Sequence, residues 1–202
     1  MIIMQTLDAP ARREYIESNK LAKVIFAHKL EESVCIQYHP KGIKGGMMPE
    51  LDSHYQSKDH SNPLNERFSP WHAAGPMALY PQYSAGMRAR GHLHLLGVAL
   101  RLATGDTNTQ GAAVQWYDTF GIEMGNNHSE IRFTNATMNF LPGESGINDG
   151  LAEIVVGVEG EEIRKAILAS ACTEGCRVDK GLVHMLGTNW NFVPISKTKS
   201  RL

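Results

Sequence analysis

The amino-acid sequence predicts an α+β fold in which one order of elements, a strand, a helix and three further strands, occurs twice between residues 92 and 195. The first observation behind this prediction is a switch from an apolar strand-like run to helical spacing and back to short β-rich runs. The second is that the same order starts again at residue 151. Repetition at the level of elements predicts paired βαβββ units that form one mixed sheet.

The first predicted unit opens with an apolar run at 92–102. A helix should follow, because Thr107 and Gln110 have the spacing of a capping box and Gly121 can end the helix in a left-handed conformation. The apolar residues between them fall on one helical face: Ala112, Ala113, Trp116, Tyr117 and Phe120. Three short runs complete the unit: 122–124, 130–133 and 136–141.

The second predicted unit repeats this order. Its opening strand is expected at 151–158, and Glu161 and Glu162 suit the positive N-terminal end of the helix that follows. Gly175 can form the left-handed cap of that helix. The closing strands are expected at Val178, 182–186 and 188–193.

Residues 1–60 are expected to hold only a partial N-terminal unit. Its β-rich runs at 23–27 and 33–38 are joined by a short charged segment, which is typical of a hairpin. Residues 9–21 predict a helix with little apolar face. The fold class is therefore completed by an N-terminal hairpin and a long loop extension.

Residues 61–91 are rich in proline and aromatic residues, which predicts a connector that packs in part against the domain. Within it, Trp71 and His72 are candidates for a pocket rim or lid, and a packed loop is the alternative. Residues 196–202 form a basic tail beyond the domain at 92–195.

Composition narrows the class of partner. The 202 residues are 42% hydrophobic and 20% charged with a formal net charge of −1, as in an ordinary globular protein with no general attraction to nucleic acid or membranes. No apolar run approaches the roughly 18 residues that span a bilayer, and the start is too short for a signal peptide, so we expect a cytoplasmic protein. Its three cysteines are expected to be free structural thiols.

Three segments carry a resemblance to a known family. Residues 93–98 (LHLLGV) and 150–156 (GLAEIVV) resemble the strands that open the two units of vicinal oxygen chelate proteins, the superfamily of glyoxalase I, bleomycin-resistance proteins and extradiol dioxygenases. Residues 115–121 (QWYDTFG) resemble the end of the helix in that family. The resemblance covers about half of the chain.

The resemblance implies a cupped sheet around a divalent metal, Zn, Fe, Mn or Ni, which accepts two neighbouring oxygens of a small-molecule substrate. It implies no organic cofactor, and it implies a homodimer as one form of assembly. The sequence departs from the family where ligands are expected. Glu153 stands where the second unit usually has His, Asn191 stands at its closing Glu, and Asn139 or Thr137 stands at that of the first unit.

Two sets of residues are candidates for chemistry. His92 and His94 are two apart in a predicted strand and would share one face, where either could bind a metal or take a structural hydrogen bond. Glu153 is a carboxylate in an apolar strand, which requires a cation or a metal as partner. His94 and Glu153 are also candidates for an acid/base pair.

The second set lies further upstream. Glu50, Asp52 and His54 would alternate onto one face of an extended strand, where two carboxylates and an imidazole can hold a metal or transfer protons. If residues 23–54 are the remnant of a further unit, this segment is its last strand. A solvated loop is the alternative.

These observations favour an enzyme of the vicinal oxygen chelate type, a glyoxalase-like or dioxygenase-like lyase, isomerase or ring-modifying enzyme that acts on a small oxygenated molecule. A metal-free small-molecule-binding protein of the bleomycin-resistance type is the second hypothesis, favoured by the missing closing carboxylates. A truncated, inactive product stabilised by dimerisation is the third.

Overall fold

A computed structural model describes residues 1–58, 61–64 and 79–196 and has a mixed α+β fold with two sheets. The N-terminal elements are β1 (Ile2–Gln5), α1 (Ala9–Ser18), β2 (Val24–Lys29), β3 (Ser33–Tyr38) and β4 (Pro49–His54). Helix α2 (Tyr80–Ala89) follows. The next elements are β5 (Leu93–Arg101), α3 (Thr109–Phe120), β6 (Glu123–Met124), β7 (Glu130–Arg132) and β8 (Thr137–Leu141). The last are β9 (Gly150–Glu159), α4 (Glu161–Thr173), β10 (Arg177–Asp179), β11 (Leu182–Met185) and β12 (Thr188–Ile195).

The chain contains one structural plan three times. In each unit the first strand pairs in parallel with the last strand. The last strand pairs antiparallel with the third, and the third pairs antiparallel with the second. The strand orders are therefore β1-β4-β3-β2, β5-β8-β7-β6 and β9-β12-β11-β10. The second and third units join through antiparallel β5 and β9 into one eight-stranded sheet. The first unit forms a separate four-stranded sheet. The prediction of paired βαβββ units is thus confirmed for the second and third units.

The first unit is more complete than the sequence predicts. The hairpin β2–β3 is present, but β1, α1 and β4 extend it to the full order of five elements, so the expectation of a partial unit is wrong. Strand β1 was missed because four residues are too short to show a period. For β4 the sequence left strand and loop open, because Glu, Asp, Ser and His are unusual in a strand.

Local details differ as well. The predicted capping box at Thr107 is wrong: Asn108 caps α3, and its side-chain oxygen accepts a hydrogen bond from the backbone N–H of Gly111. Gly121 ends α3 in the left-handed conformation as expected, with φ of 73°. Helix α2 lies within the predicted connector. Trp71, His72 and residues 197–202 of the predicted tail lie outside the described residues.

Helices α1 and α3 each pack on one face of their own sheet and form the main core between the two sheets. Trp116 of α3 is fully buried, and its ring lies 5.1 Å from that of Phe120 and 6.2 Å from that of Phe140 on β8. Ile16 of α1 and Tyr38 of β3 belong to the same core, and the rings of Tyr38 and Phe120 meet edge to face at 5.6 Å. The first unit is therefore packed against the second through α1 and α3.

Polar contacts reinforce this packing. The indole Nε1 of Trp116 donates to the carbonyl of Lys44 at 2.9 Å, in the loop between β3 and β4. Arg12 of α1 donates to the carbonyls of Thr119 at 2.9 Å and Asp118 at 2.6 Å, at the C-terminal end of α3. A cation is favourable there because the last carbonyls of a helix carry partial negative charge.

Among the described helices, none is long and apolar enough to cross a membrane.

Replacing Trp116 by alanine tests the packing of the first unit against the second. We expect Trp116→Ala to lower the free energy of unfolding by about 3–5 kcal/mol, because it leaves a cavity and removes the hydrogen bond to Lys44. Val114→Ala is the matched control, since Val114 lies on the same helix with 40% of its surface exposed, and it should change stability by less than about 0.5 kcal/mol. Denaturant unfolding followed by circular dichroism measures both. Equal effects for the two variants would contradict this account of the core.

Candidate functional site

The eight-stranded sheet carries a row of polar side chains on the face opposite its helices. Register places the Cα of Asn139 beside Ala99, Ala99 beside Glu153, and Glu153 beside Asn189. Glu130 lies beside Asn139 at one end, and His184 lies beside Asn189 at the other. Residues that are paired across a sheet project to the same face. We call Glu130, Asn139, Glu153, Asn189 and His184 the polar row.

The polar row crosses the centre of the sheet, and its members are half-buried. It is symmetric about the β5–β9 contact: Asn139 and Asn189 come from the last strands of the second and third units, and Ala99 and Glu153 from their first strands. The side chains on the opposite face, such as Leu100 and Met138, are fully buried in the core. Within the described residues, the polar row therefore lies on the face opposite the apolar core.

Glu153 is held in place by a neighbouring amide. The Nδ2 of Asn191, one position further along the same face of β12, donates to Oε1 of Glu153 at 2.9 Å. The resemblance implies ligand positions at Glu153, at Asn191 and at Asn139 or Thr137, and the structure places Glu153, Asn139 and Asn191 on one face. A carboxylate among three amides can accept protons and hydrogen bonds from an oxygenated molecule.

The structure does not bring His94 and Glu153 together. Strands β5 and β9 are antiparallel, so His94 lies beside Gly157, four positions and roughly 13 Å along β9 from Glu153. His94 Nε2 instead lies 2.7 Å from Oε1 of Glu159, and both side chains are largely buried. The predicted acid/base pair is therefore wrong in its geometry.

His92 also differs from its prediction. It lies in the turn before β5, which begins at Leu93, so His92 and His94 do not form a pair on one strand. Among the described residues, the eight-stranded sheet brings no three metal-ligating side chains close together. The side chains at the family's ligand positions therefore do not fit the metal site that the resemblance implies.

A second polar cluster lies on the first sheet, again on the face opposite the helix. Strands β3 and β4 pair so that Cys35 lies beside Asp52 and Gln37 beside Glu50. Each of Cys35, Glu50 and Asp52 offers one ligand atom, and these atoms lie within 4.8 Å of one another. Gln37 Nε2 donates to Oε2 of Glu50 at 2.6 Å. We call Cys35, Glu50 and Asp52 the acidic cluster.

The acidic cluster is buried. Glu50 is 2% exposed and Asp52 is 1% exposed, and neither carboxylate oxygen of Asp52 has a hydrogen-bond partner of regular geometry. Burial raises the pKa of Asp52 to about 7, the charge of Glu50 adds to the rise, and the nearby Cys35 thiol opposes it only in part. Burial and the charges of Asp52 and Glu50 also raise the pKa of the Cys35 thiol.

The sequence identified only part of this cluster. Glu50, Asp52 and His54 do alternate on β4, but the ligand atom of His54 lies outside the group of three. The sequence predicts a structural thiol at Cys35 and gives no role to Gln37. A signal for the cluster was available in β3, where the less apolar residues Ser33, Cys35 and Gln37 alternate with the apolar residues Val34, Ile36 and Tyr38. Such alternation indicates that the less apolar residues share the face opposite the core and contact other polar groups there.

Comparisons with known proteins give a similarity in fold to solved structures. No family model matches the chain, and no curated protein is significantly similar to it. Among solved structures, it is similar to the crystal structure of the 2,3-dioxygenase LapB from Pseudomonas sp. KL28, with a TM-score of 0.41 and 12% sequence identity. The alignment covers 96% of this chain and 71% of that chain. Nothing about function follows from a similarity of this degree.

The raised pKa of Asp52 predicts how stability depends on pH. Because the folded state holds a proton on Asp52 up to about pH 7 whereas the ordinary pKa is 3.8, the folded state binds more protons between these values. The free energy of unfolding should therefore fall as pH rises through this window, by at most about 4 kcal/mol.

The variant Asp52→Asn should lose most of this decline. Asp118→Asn, which changes an exposed carboxylate on α3, should keep it. Urea unfolding between pH 4 and pH 8 in the presence of a chelator measures the difference. A parallel decline in Asp52→Asn and the wild-type protein would show that Asp52 is not the group responsible.

Proposed function

We propose that this protein is a small-molecule enzyme of the vicinal oxygen chelate type, and that its substrate binds over the polar row. The observation that carries the proposal is the position of Glu153, a half-buried carboxylate at the centre of the eight-stranded sheet. Asn189 lies beside it on β12, and Asn139 lies on its other side beyond Ala99. The order of elements in the second and third units supports the same family. A lyase or an isomerase is the reaction class that these residues suit best.

The chemistry follows from the side chains present. Amide groups donate and accept hydrogen bonds, so Asn189, beside Glu153, can bind a carbonyl or hydroxyl oxygen of a substrate. Asn139, two strands from Glu153 on the other side, can bind a more distant polar group of the same molecule. Glu153 would then remove a proton from the carbon next to the carbonyl and return it elsewhere. The hydrogen bond from Asn191 fixes the orientation of the carboxylate, which is the requirement for a positioned base.

Ligand binding without catalysis is the second candidate function. It is favoured by the distance between His94 and Glu153, because Glu153, the proposed base, does not contact the imidazole that was expected to act with it. A metal-free cup would then bind the same class of oxygenated molecule and leave it unchanged. The two functions share a binding site and differ in turnover.

Exchange of substrate protons separates them. Small α-hydroxycarbonyl compounds are first screened for binding by thermal shift, and those that bind are incubated in D2O and followed by NMR. We expect Glu153→Gln to lower the rate of deuterium incorporation by about 10²–10⁴-fold, because general-base catalysis contributes a factor of this size. Binding should weaken much less, because the amides remain.

Glu159→Gln is the matched control, since Glu159 lies on the same strand but pairs with His94. It should exchange protons at the wild-type rate. If Glu153→Gln also exchanges at that rate, the proposed role of Glu153 is wrong. If compounds bind to the wild-type protein and none exchanges, the binding function replaces the enzymatic one.

A further inference from the structure

The three units place different side chains at corresponding points. The last strands of the second and third units present the neutral amides Asn139 and Asn189 on the face opposite the helices. The last strand of the first unit presents Glu50 and Asp52 on that face. These carboxylates are nearly inaccessible, whereas the amides of the other units are half-buried. At these corresponding points the first unit therefore differs from the other two in carrying buried acidic groups.

Burial of two neighbouring carboxylates is unfavourable unless protons or a cation neutralise them. On the described part of this face, the side chains paired with Asp52 and Glu50 are Cys35 and Gln37 on β3 and Gln5 and Ile3 on β1, so no lysine or arginine is among them. Both oxygens of Asp52 are buried without a regular hydrogen bond, and one of them is a ligand atom of the acidic cluster.

We infer that the acidic cluster binds one divalent transition-metal ion through Cys35 Sγ, Glu50 and Asp52. Three potential ligand atoms lie within 4.8 Å of one another. Small rotations of the side chains bring atoms at this separation to within about 2.0–2.3 Å of one ion, the range of zinc–oxygen and zinc–sulfur bonds. The Gln37 amide orients Glu50 from outside the ligand set, as hydrogen-bond partners of metal ligands commonly do. This site is separate from the polar row and does not depend on the proposed function.

The donor atoms select the class of ion. A thiolate is a soft ligand that disfavours Mg²⁺ and Ca²⁺, whereas zinc accepts thiolate and carboxylate ligands together. The ligands are almost fully buried, which is characteristic of an ion that stabilises the fold rather than one that binds substrate. Zn²⁺ is therefore the expected ion, with a structural role in the first unit.

Metal loading of the full chain tests the inference. The purified protein is stripped with a chelator, reloaded with Zn²⁺ or Co²⁺ and passed through a desalting column, and bound metal is then measured by mass spectrometry. We expect one equivalent of zinc, a rise in melting temperature on zinc addition, and a thiolate-to-cobalt charge-transfer absorption in the cobalt form. Asp52→Asn and Cys35→Ala should each weaken zinc binding by about tenfold or more.

Two control variants make the result specific. Cys172→Ala removes an exposed thiol on α4, and Glu153→Gln removes the central carboxylate of the polar row. Both should bind zinc as the wild-type protein does, and Glu153→Gln separates this test from that of the proposed function. If Cys35→Ala fails to fold, the cobalt spectrum of the wild-type protein decides whether a thiolate is bound.

Two outcomes would overturn the inference. One is a cobalt form without the thiolate absorption. The other is a folded wild-type protein that binds no stoichiometric zinc, or an Asp52→Asn variant that binds zinc as tightly as the wild-type protein. Either result would mean that Glu50 and Asp52 share a proton instead of binding a metal.

Discussion

The packing of Trp116 between two sheets is the constraint on which the rest of the structure depends. Its ring fills the core formed by α1, α3, β3 and β8, and its indole nitrogen holds the loop that leads into β4. With the helices of the first two units on one side of their sheets, the apolar residues of each strand must face that side. The opposite faces are then free to carry polar groups.

The three units use this freedom differently. The second and third units share one sheet, so their polar residues form one row, interrupted by Ala99 on β5, with Glu153 on β9 near its centre. The first unit has its own sheet, and its polar residues are confined to β3 and β4. The same element order therefore produces a broad half-buried surface in one case and a compact buried cluster in the other. Which chemistry each supports depends on burial, since burial decides whether a carboxylate needs a compensating charge.

Sequence patterns predicted the second and third units well because their strands and helices have clear periods, and Gly121 marks a helix end unambiguously. They failed for β1, which is too short, and for β4, whose Glu50 and Asp52 resemble loop residues. The expected pair of His94 and Glu153 failed for another reason. His94 and Glu153 occupy matching positions near the start of β5 and of β9. Because these two strands are antiparallel, the start of one strand lies beside the end of the other, which separates the two side chains.

The acidic cluster illustrates what a linear sequence does not contain. The proximity of Cys35 to Asp52 arises from the register of β3 and β4, which the loop between them and the burial of Leu51 against the core determine together. A shift by one residue would turn Leu51 outward and the carboxylates into the core that contains Trp116. One face of β4 therefore carries the charged groups of the acidic cluster and the other face packs in the apolar core. The stability of the first unit depends on both faces, because the register of β4 fixes them together.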